Sequence, residues 1–308
     1  MMSKRFQVRR LLGAAILHLA AAHAHAQGTS APAQLPEARV ATVTALPFTP
    51  PAEADMPAAG DFVATVKLGE QIFMHTGAFA GKYVGNTLNC ASCHLDAGRK
   101  ADAGPLWAAY VSYPAWRAKN GRVNTLAERM QGCFQYSMNG KAPPNGDPIL
   151  VALETYAFWL AKGAPVGAEL AGRGYPKLPA PALPPDYARG ATVYAARCAL
   201  CHGDNGQGQA SHGETVFPPL WGAHSFNWGA GMHELQNASG FIKANMPLGL
   251  GGTLTDQEAW DVAMFMDSHE RPQDPRYAGS VQATRERYHD TKWSMYGRAV
   301  NGHVLGSK

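Results

Sequence analysis

Cys90-Ala91-Ser92-Cys93-His94 and Cys198-Ala199-Leu200-Cys201-His202 repeat one pattern, and the rest of the 308-residue chain is organised around it. Each sets two thiols three positions apart with a histidine directly after. At that spacing two cysteines add to the two vinyl groups of one haem while the adjacent imidazole reaches the iron as proximal ligand. A single Cys-x-x-Cys is more often a redox or metal motif, but two copies ending in His read as two covalent attachment sites. The expected cofactors are therefore two covalently bound haem c groups with iron. Cys90, Cys93, Cys198 and Cys201 are the expected attachment residues, and His94 and His202 the proximal ligands.

The surroundings repeat as well. Gly69-x-x-Ile72-Phe73 precedes the first motif and Gly190-x-x-Val193-Tyr194 the second; both look like the opening helix of a class I cytochrome c domain, in which the glycine lets a closing helix approach. Closing helices are expected at about 147–162, with Tyr156 and Trp159, and at about 255–268, with Trp260, Phe265 and a Thr255/Glu258 capping box. Pro105-Leu106-Trp107 and Pro219-Leu220-Trp221 follow the two motifs, and in such domains a proline carbonyl there accepts the proximal histidine N–H. The expected fold is all-α: two class I cytochrome c-like haem domains joined by a Pro-rich linker, with an extended N-terminal arm and a C-terminal tail.

Residues 1–26 combine Lys4, Arg5, Arg9 and Arg10 with an apolar run from Leu11 to Ala22 and a small-residue ending, Ala24-His25-Ala26, which reads as a cleaved export signal. The apolar run is about a dozen residues, short of the roughly 20 that span a bilayer. Export implies the periplasm, and no later apolar run is long enough for a membrane span. Losing the signal removes four of the 27 basic residues and none of the 23 acidic ones, so the retained charges balance and no nucleic-acid partner is expected. Composition divides the rest into an Ala/Pro-rich arm (27–59), a first haem domain (60–165), a linker (166–186), a second haem domain (187–270) and a tail (271–308).

A haem iron with His on one side needs a sixth ligand or an open site. In the second half Met246, in Asn245-Met246-Pro247, lies 44 residues after His202 and is the expected thioether ligand; Met232, His224 and His233 are its rivals. The same count from His94 reaches Met138. Against it stands Cys133, the one cysteine outside the two motifs. Thr125-x-x-Glu128 opens a helix that carries Arg129, Cys133 and Ser137 at i, i+4 and i+8, so a cation and a hydroxyl share the thiol's face. Nearby positive charge favours the thiolate, and thiolate ligation lowers a haem potential.

Beyond the haem motifs, a set of more specific phrases resembles the diheme thiosulfate dehydrogenases. They are Tyr83-Val84-Gly85-Asn86, Leu95-Asp96-Ala97-Gly98, Gly132-Cys133-Phe134, Ser137-Met138-Asn139-Gly140, Phe217-Pro218-Pro219-Leu220-Trp221-Gly222, Ser225-Phe226-Asn227, Gly229-Ala230-Gly231-Met232, Tyr288-His289-Asp290 and Tyr296-Gly297. The resemblance implies an active-site haem ligated by His94 and Cys133 and a relay haem ligated by His202 and Met246. Arg129 and Ser137 match the family's substrate-pocket residues. A second pocket cation is expected among Arg117, Lys119 and Arg122, and Arg122 is counted with Cys133, Arg129 and Ser137 as an expected catalytic residue. Some relatives place a lysine directly before the relay methionine and exchange it for Met on reduction. Asn245 stands there in this chain, which predicts a fixed His/Met relay, with Lys243 the nearest alternative.

The activity so implied joins two thiosulfate ions into tetrathionate and passes the electrons through both haems to a soluble c-type cytochrome or similar acceptor, with operation as a tetrathionate reductase also open. No general acid or base is needed, and no carboxylate pair offers one. Two other classes fit the haem motifs. A diheme electron carrier would use Met138 at the first haem, and a Sox-type sulfur cytochrome would act on a carrier protein.

Overall fold

The computed structural model describes residues 44–56 and 58–307; the expected signal and the arm up to residue 43 lie outside the described residues. In chain order come α1 (Asp61–Met74), α2 (Thr76–Ala80), α3 (Leu106–Ser112), strands β1 (Ala115–Arg117) and β2 (Arg122–Asn124), α4 (Leu126–Gly132), a π-helical turn at Cys133–Ser137 and α5 (Pro148–Leu160). Then follow α6 (Tyr187–Arg197), α7 (Ala199–His202), β3 (Gln209–Ser211), β4 (Glu214–Phe217), α8 (Leu235–Asn245), α9 (Asp256–Asp267), α10 (Val281–Tyr288), β5 (Ala299–Val300) and β6 (His303–Val304). The fold is helical, with three two-stranded antiparallel hairpins that the hydrophobic periodicity does not announce.

The same crossing organises both halves. A Cβ placed on Gly69 of α1 would lie 2.1 Å from the Ala152 carbonyl oxygen of α5, and one on Gly190 of α6 would lie 2.0 Å from the Asp261 carbonyl oxygen of α9. No side chain fits either crossing, so glycine is what lets opening and closing helix touch backbone to backbone. Local chemistry starts the closing helices. The Asp147 carboxylate accepts from the Ile149 N–H at 2.9 Å with Pro148 at the first helical position, and Thr255 and Glu258 form a reciprocal capping box. Two apolar cores result. One gathers Ile72, Trp107, Phe134, Leu150 and Tyr156; the other gathers Trp228, Trp260, Leu254 and Tyr296. Each fully buried large side chain contributes roughly 1.5–3 kcal/mol.

The Pro-rich stretch is not a free spacer. Leu46 of the arm bridges Leu170, the Asp102 and Gly104 N–H groups donate to the Gly172 and Gly174 carbonyls at 2.7 and 2.8 Å, and Trp260 Nε1 donates to the Pro179 carbonyl at 3.0 Å. The segment is pinned on one side to the loop after the first haem motif and on the other to α9. The tail enters the second core through Met295, Tyr296 and Leu305. Direct bonds cross between the halves: Asn86 Nδ2 donates to the Ser225 carbonyl at 3.1 Å, Asn227 Nδ2 to the Gln135 carbonyl at 3.0 Å, and Asn245 Nδ2 to the Asp102 carbonyl at 3.0 Å. Among the described residues no helix is long and apolar enough to cross a membrane.

Candidate haem cavities and active site

Two cavities flank the domain boundary. The first, about 1080 Å³, is lined by Cys90, Cys93 and His94 and also by Arg129, Cys133, Ser137 and Met138. The second, about 390 Å³, is lined by Cys198, Cys201, His202 and Met246. Leu88, Asn89, Cys93, Phe226 and Met232 line both, so the wall between the cavities is one layer of side chains thick.

Local bonds set each motif. Thr76 is the hinge of the first: its N–H donates to Asn89 Oδ1 at 2.8 Å and its Oγ1 accepts from the Cys90 N–H at 3.0 Å. Burial pushes the Cys90 and Cys93 thiols up to about 12 and lowers both proximal histidines, which keeps the imidazoles neutral and able to ligate. His94 Nδ1 donates to the Gly104 carbonyl at 2.6 Å and His202 Nδ1 to the Pro218 carbonyl at 2.9 Å. These acceptors lie one residue before the expected Pro105 and Pro219; the Pro105 carbonyl instead accepts from the Ala109 N–H of α3 at 3.1 Å. In both rings Nε2 is left for the iron. Two thiols, a neutral imidazole aimed from one wall, and a sulfur donor in the same cavity are a donor set that fits covalent haem c at each site.

Across the first cavity the chain departs from a plain helix. Thr125 and Glu128 cap α4 as expected, with the Thr125 N–H donating to Glu128 Oε2 at 2.8 Å, but after Gly132 the helix widens into the π turn. Arg129 Nη1 donates to Cys133 Sγ at 2.7 Å across the last α turn. The wider turn alters the i+8 geometry expected for Ser137, yet Ser137 still lines the cavity. The Gly85 N–H donates to the Met138 carbonyl at 2.9 Å and Asn86 Nδ2 to the Ser137 carbonyl at 2.8 Å. The Tyr83–Asn86 phrase is thus the brace that holds the turn. Met138, buried at 3 % exposure, also faces this cavity.

The cations divide plainly. Arg117, which donates to Tyr113 Oη at 2.8 Å, and Lys119 line the first cavity, whereas Arg122 does not. Arg122, expected among the catalytic residues, stands outside the cavity lining, its guanidinium paired with Glu128 Oε1 at 2.5 Å. Residues 117 and 122 are direct cross-strand partners on one face of the hairpin, so alternation does not separate them; their ends do, one guanidinium held by Tyr113 and the other by Glu128. Lys119 keeps open surface, but its ammonium donates to the Gly229 carbonyl and sits 4.1 Å from the Tyr136 ring centre. Desolvation by the enclosing wall, then repulsion from Arg276 and Arg129, push it down to about 7. Tyr175, on the stretch expected to be linker, also lines the cavity; its Pro-rich neighbourhood hid it from sequence reasoning.

In the second cavity, of the expected rivals to Met246, His224 is exposed and lines neither cavity, and His233 has both ring nitrogens bonded elsewhere. Met232 stands in the shared wall. Lys243 turns outward to the Leu254 and Gly252 carbonyls and to Asp256 Oδ1 at 3.5 Å, and the Asn245 amide donates to the Asp102 and Phe241 carbonyls.

Two attachment motifs in two helical domains, with one shared wall and unlike residues lining the two cavities, define a diheme c-type cytochrome oxidoreductase carrying two covalent haem c groups. A model of the SoxA/TsdA cytochrome c domain matches residues 78–166, and a cytochrome c model matches residues 187–270. The thiosulfate dehydrogenase of Thiomonas intermedia (strain K12) is 58 % identical over 289 residues, 93 % of this chain and 92 % of that protein; that of Stutzerimonas stutzeri (strain A1501) is 54 % identical over 84 % of this chain and 85 % of its own length. A solved structure of thiosulfate dehydrogenase (TsdBA) from Marichromatium purpuratum, in its as-isolated form, superposes with a TM-score of 0.81 at 52 % identity over 84 % of this chain; the matched part is 57 % of that longer chain. The chain belongs to the thiosulfate dehydrogenase family.

Proposed function

We propose that this protein oxidises thiosulfate in the first cavity, joining two ions through a new sulfur–sulfur bond to give tetrathionate and two electrons. The observation that carries the reading is the cation-flanked sulfur: Arg129 donating to Cys133 Sγ at 2.7 Å, with Arg117 and Lys119 lining the same cavity.

The obstacle to this reaction is electrostatic. Two dianions must come within bonding distance, and each unit charge pair at about 4 Å costs on the order of 4 kcal/mol at an effective dielectric near 20. Arg129, Arg117 and Lys119 offset that repulsion, and the Ser137 hydroxyl is placed to donate to a sulfonate oxygen. No proton is taken up or released, so the lack of a carboxylate pair among the cavity residues costs nothing. Bound haem would supply two irons that accept one electron each, the first held by Cys90, Cys93, His94 and Cys133 and the second by Cys198, Cys201, His202 and Met246. Phe226 and Met232 stand in the wall between the two sites.

The acceptor in this reading is a soluble c-type cytochrome or similar carrier, the location is the periplasm, and the reverse reaction, reduction of tetrathionate, uses the same residues. Purified holoprotein is expected to reduce ferricyanide or cytochrome c on addition of thiosulfate, with tetrathionate accumulating at half the thiosulfate consumed. Cys133→Ala is expected to abolish turnover. A wild-type protein releasing no electrons to thiosulfate, or a fully active Cys133→Ala, overturns the reading.

A further inference from the structure

The chain after residue 270 lies beyond both matched family models, yet it holds a buried charged cluster against the wall of the two cavities. Asp274, His289 and His233 are 1 %, 0 % and 5 % exposed. His289 Nδ1 lies 3.0 Å from His233 Nε2, His289 Nε2 lies 2.9 Å from Asp274 Oδ2, and His233 Nδ1 bonds to the Ala230 carbonyl.

The contacts fix how many protons the two rings hold. A carbonyl only accepts, so His233 Nδ1 carries a hydrogen. Burial pushes the Asp274 carboxyl up, but bonds from His289 and Arg276 outweigh it and hold the group well below the usual carboxylate range. Asp274 therefore also only accepts, and His289 Nε2 carries a hydrogen. The remaining contact sets two ring nitrogens 3.0 Å apart, where two lone pairs would repel and one N–H is required. Three N–H groups sit on two rings that, when neutral, carry one each. The pair therefore holds one proton more than two neutral rings. Ser294 Oγ, 3.5 Å from His289 Nδ1, is too distant to substitute for the His233 contact.

We propose that His289, which with His233 holds one extra proton beside Asp274, is a positioning residue that buckles the C-terminal tail onto the Gly229–His233 segment and so holds Lys119 and Met232 in place. Three contacts carry the effect inward. The Gly229 carbonyl receives the Lys119 ammonium, Met232 lines both cavities, and Arg276 lies 5.1 Å from the centre of the same Tyr136 ring that Lys119 covers. The charges around the pair are Arg276, which donates to Asp274 Oδ2 at 2.6 Å, Glu234, whose Oε1 is 3.6 Å from His233 Nε2, and Lys119 and Arg271. The inference rests on the proposed function only in the effect on Lys119; the proton count and the tail attachment stand without it.

Two measurements on the holoprotein test it. With ¹⁵N-labelled histidine in the reduced state, one of His233 and His289 is expected to show both ring nitrogens protonated at neutral pH; two neutral rings overturn the assignment. Hydrogen exchange followed by mass spectrometry is then compared for wild type, His289→Phe and His289→Gln. In His289→Phe, peptides covering 229–233 and 272–296 are expected to exchange at least about tenfold faster while α1 and α5 hold. Acceleration confined to the tail, or spread over the whole chain, overturns the buckle. His289→Gln keeps an N–H near the position of Nε2, so it is expected to retain the tail and loosen 229–233 alone; if both segments stay protected, the bond to His233 positions nothing. In the same two variants KM for thiosulfate is expected to rise several-fold with kcat within about twofold. Normal exchange loss with an unchanged KM leaves the buckle standing and removes its link to Lys119.

Discussion

Arg129 Nη1 donates to Cys133 Sγ at 2.7 Å, across the point where α4 gives way to the π turn. The cation serves two neighbours at once: it donates to the cysteine sulfur and it lines the cavity where anions would meet. Arg129→Met is therefore expected to lower kcat/KM by about a hundredfold or more, in line with loss of a charged donor to reacting groups. Arg129→Lys is expected to recover only part of this, since an ammonium lacks the planar fork. Steady-state kinetics with thiosulfate decide it, and near-normal values in Arg129→Met would remove the residue from the site.

Lys119 predicts a pH effect with a definite sign. Its folded pKa is pushed down to about 7 against an ordinary value of 10.5, so its positive charge is lost as pH rises through 7. KM for thiosulfate is expected to rise over that range and to become flat in Lys119→Met. Stability moves the other way. Between pH 7 and 10.5 the unfolded chain binds a proton that the folded chain does not, so this residue's destabilising contribution fades with rising pH.

Arg122 is the contrasting case. Its pair with Glu128 is a half-exposed ion pair outside the cavity, so Arg122→Ala is expected to change kcat/KM by less than about twofold and stability by at most about 1 kcal/mol. Thermal melting and kinetics on one preparation test both. A large kinetic loss with an unchanged melt would return Arg122 to the site.

At the relay cavity, Met246→Ala is expected to abolish the thioether-to-iron absorption band of the oxidised protein, while Met232→Leu and Lys243→Ala retain it. Lys243 is held outward by the Leu254 and Gly252 carbonyls, and Asn245 by Asp102 and Phe241. Persistence of the band in Met246→Ala would point to Met232.

Gly190→Ala tests the helix crossing. The added methyl would lie 2.0 Å from the Asp261 carbonyl oxygen, closer than any rotamer change can relieve, and the helices must separate. A loss of about 3 kcal/mol is expected, at the upper end for overpacking, read from denaturant unfolding.

Much of this protein is legible in contiguous residues. Haem attachment needs five neighbours in a row, capping boxes need four, and a helix crossing announces itself by one glycine, three residues before an apolar pair, in the helix ahead of each motif. Such features depend on chemistry within one turn of backbone, so Cys90–His94, Cys198–His202, Thr255/Glu258 and Gly69/Gly190 read the same in the chain and in the fold. The histidine acceptors were misplaced by one residue because the choice between adjacent carbonyls turns on backbone torsions that a Pro-Leu-Trp phrase does not specify.

The asymmetry between the two sites was decided at longer range. Arg117, Lys119 and Arg122 are equivalent cations in the chain, and only the arrival of Tyr113, Gly229 and Glu128 at their ends sets two of them on the cavity and leaves the third outside it. The same holds for Tyr175, hidden in a Pro-rich stretch, and for the proton shared by His233 and His289, which are 56 residues apart. Covalent chemistry acts between neighbours and is written in order along the chain. Charge and burial act through space, so which cation meets an anion and which ring keeps a proton exist only once distant segments have packed.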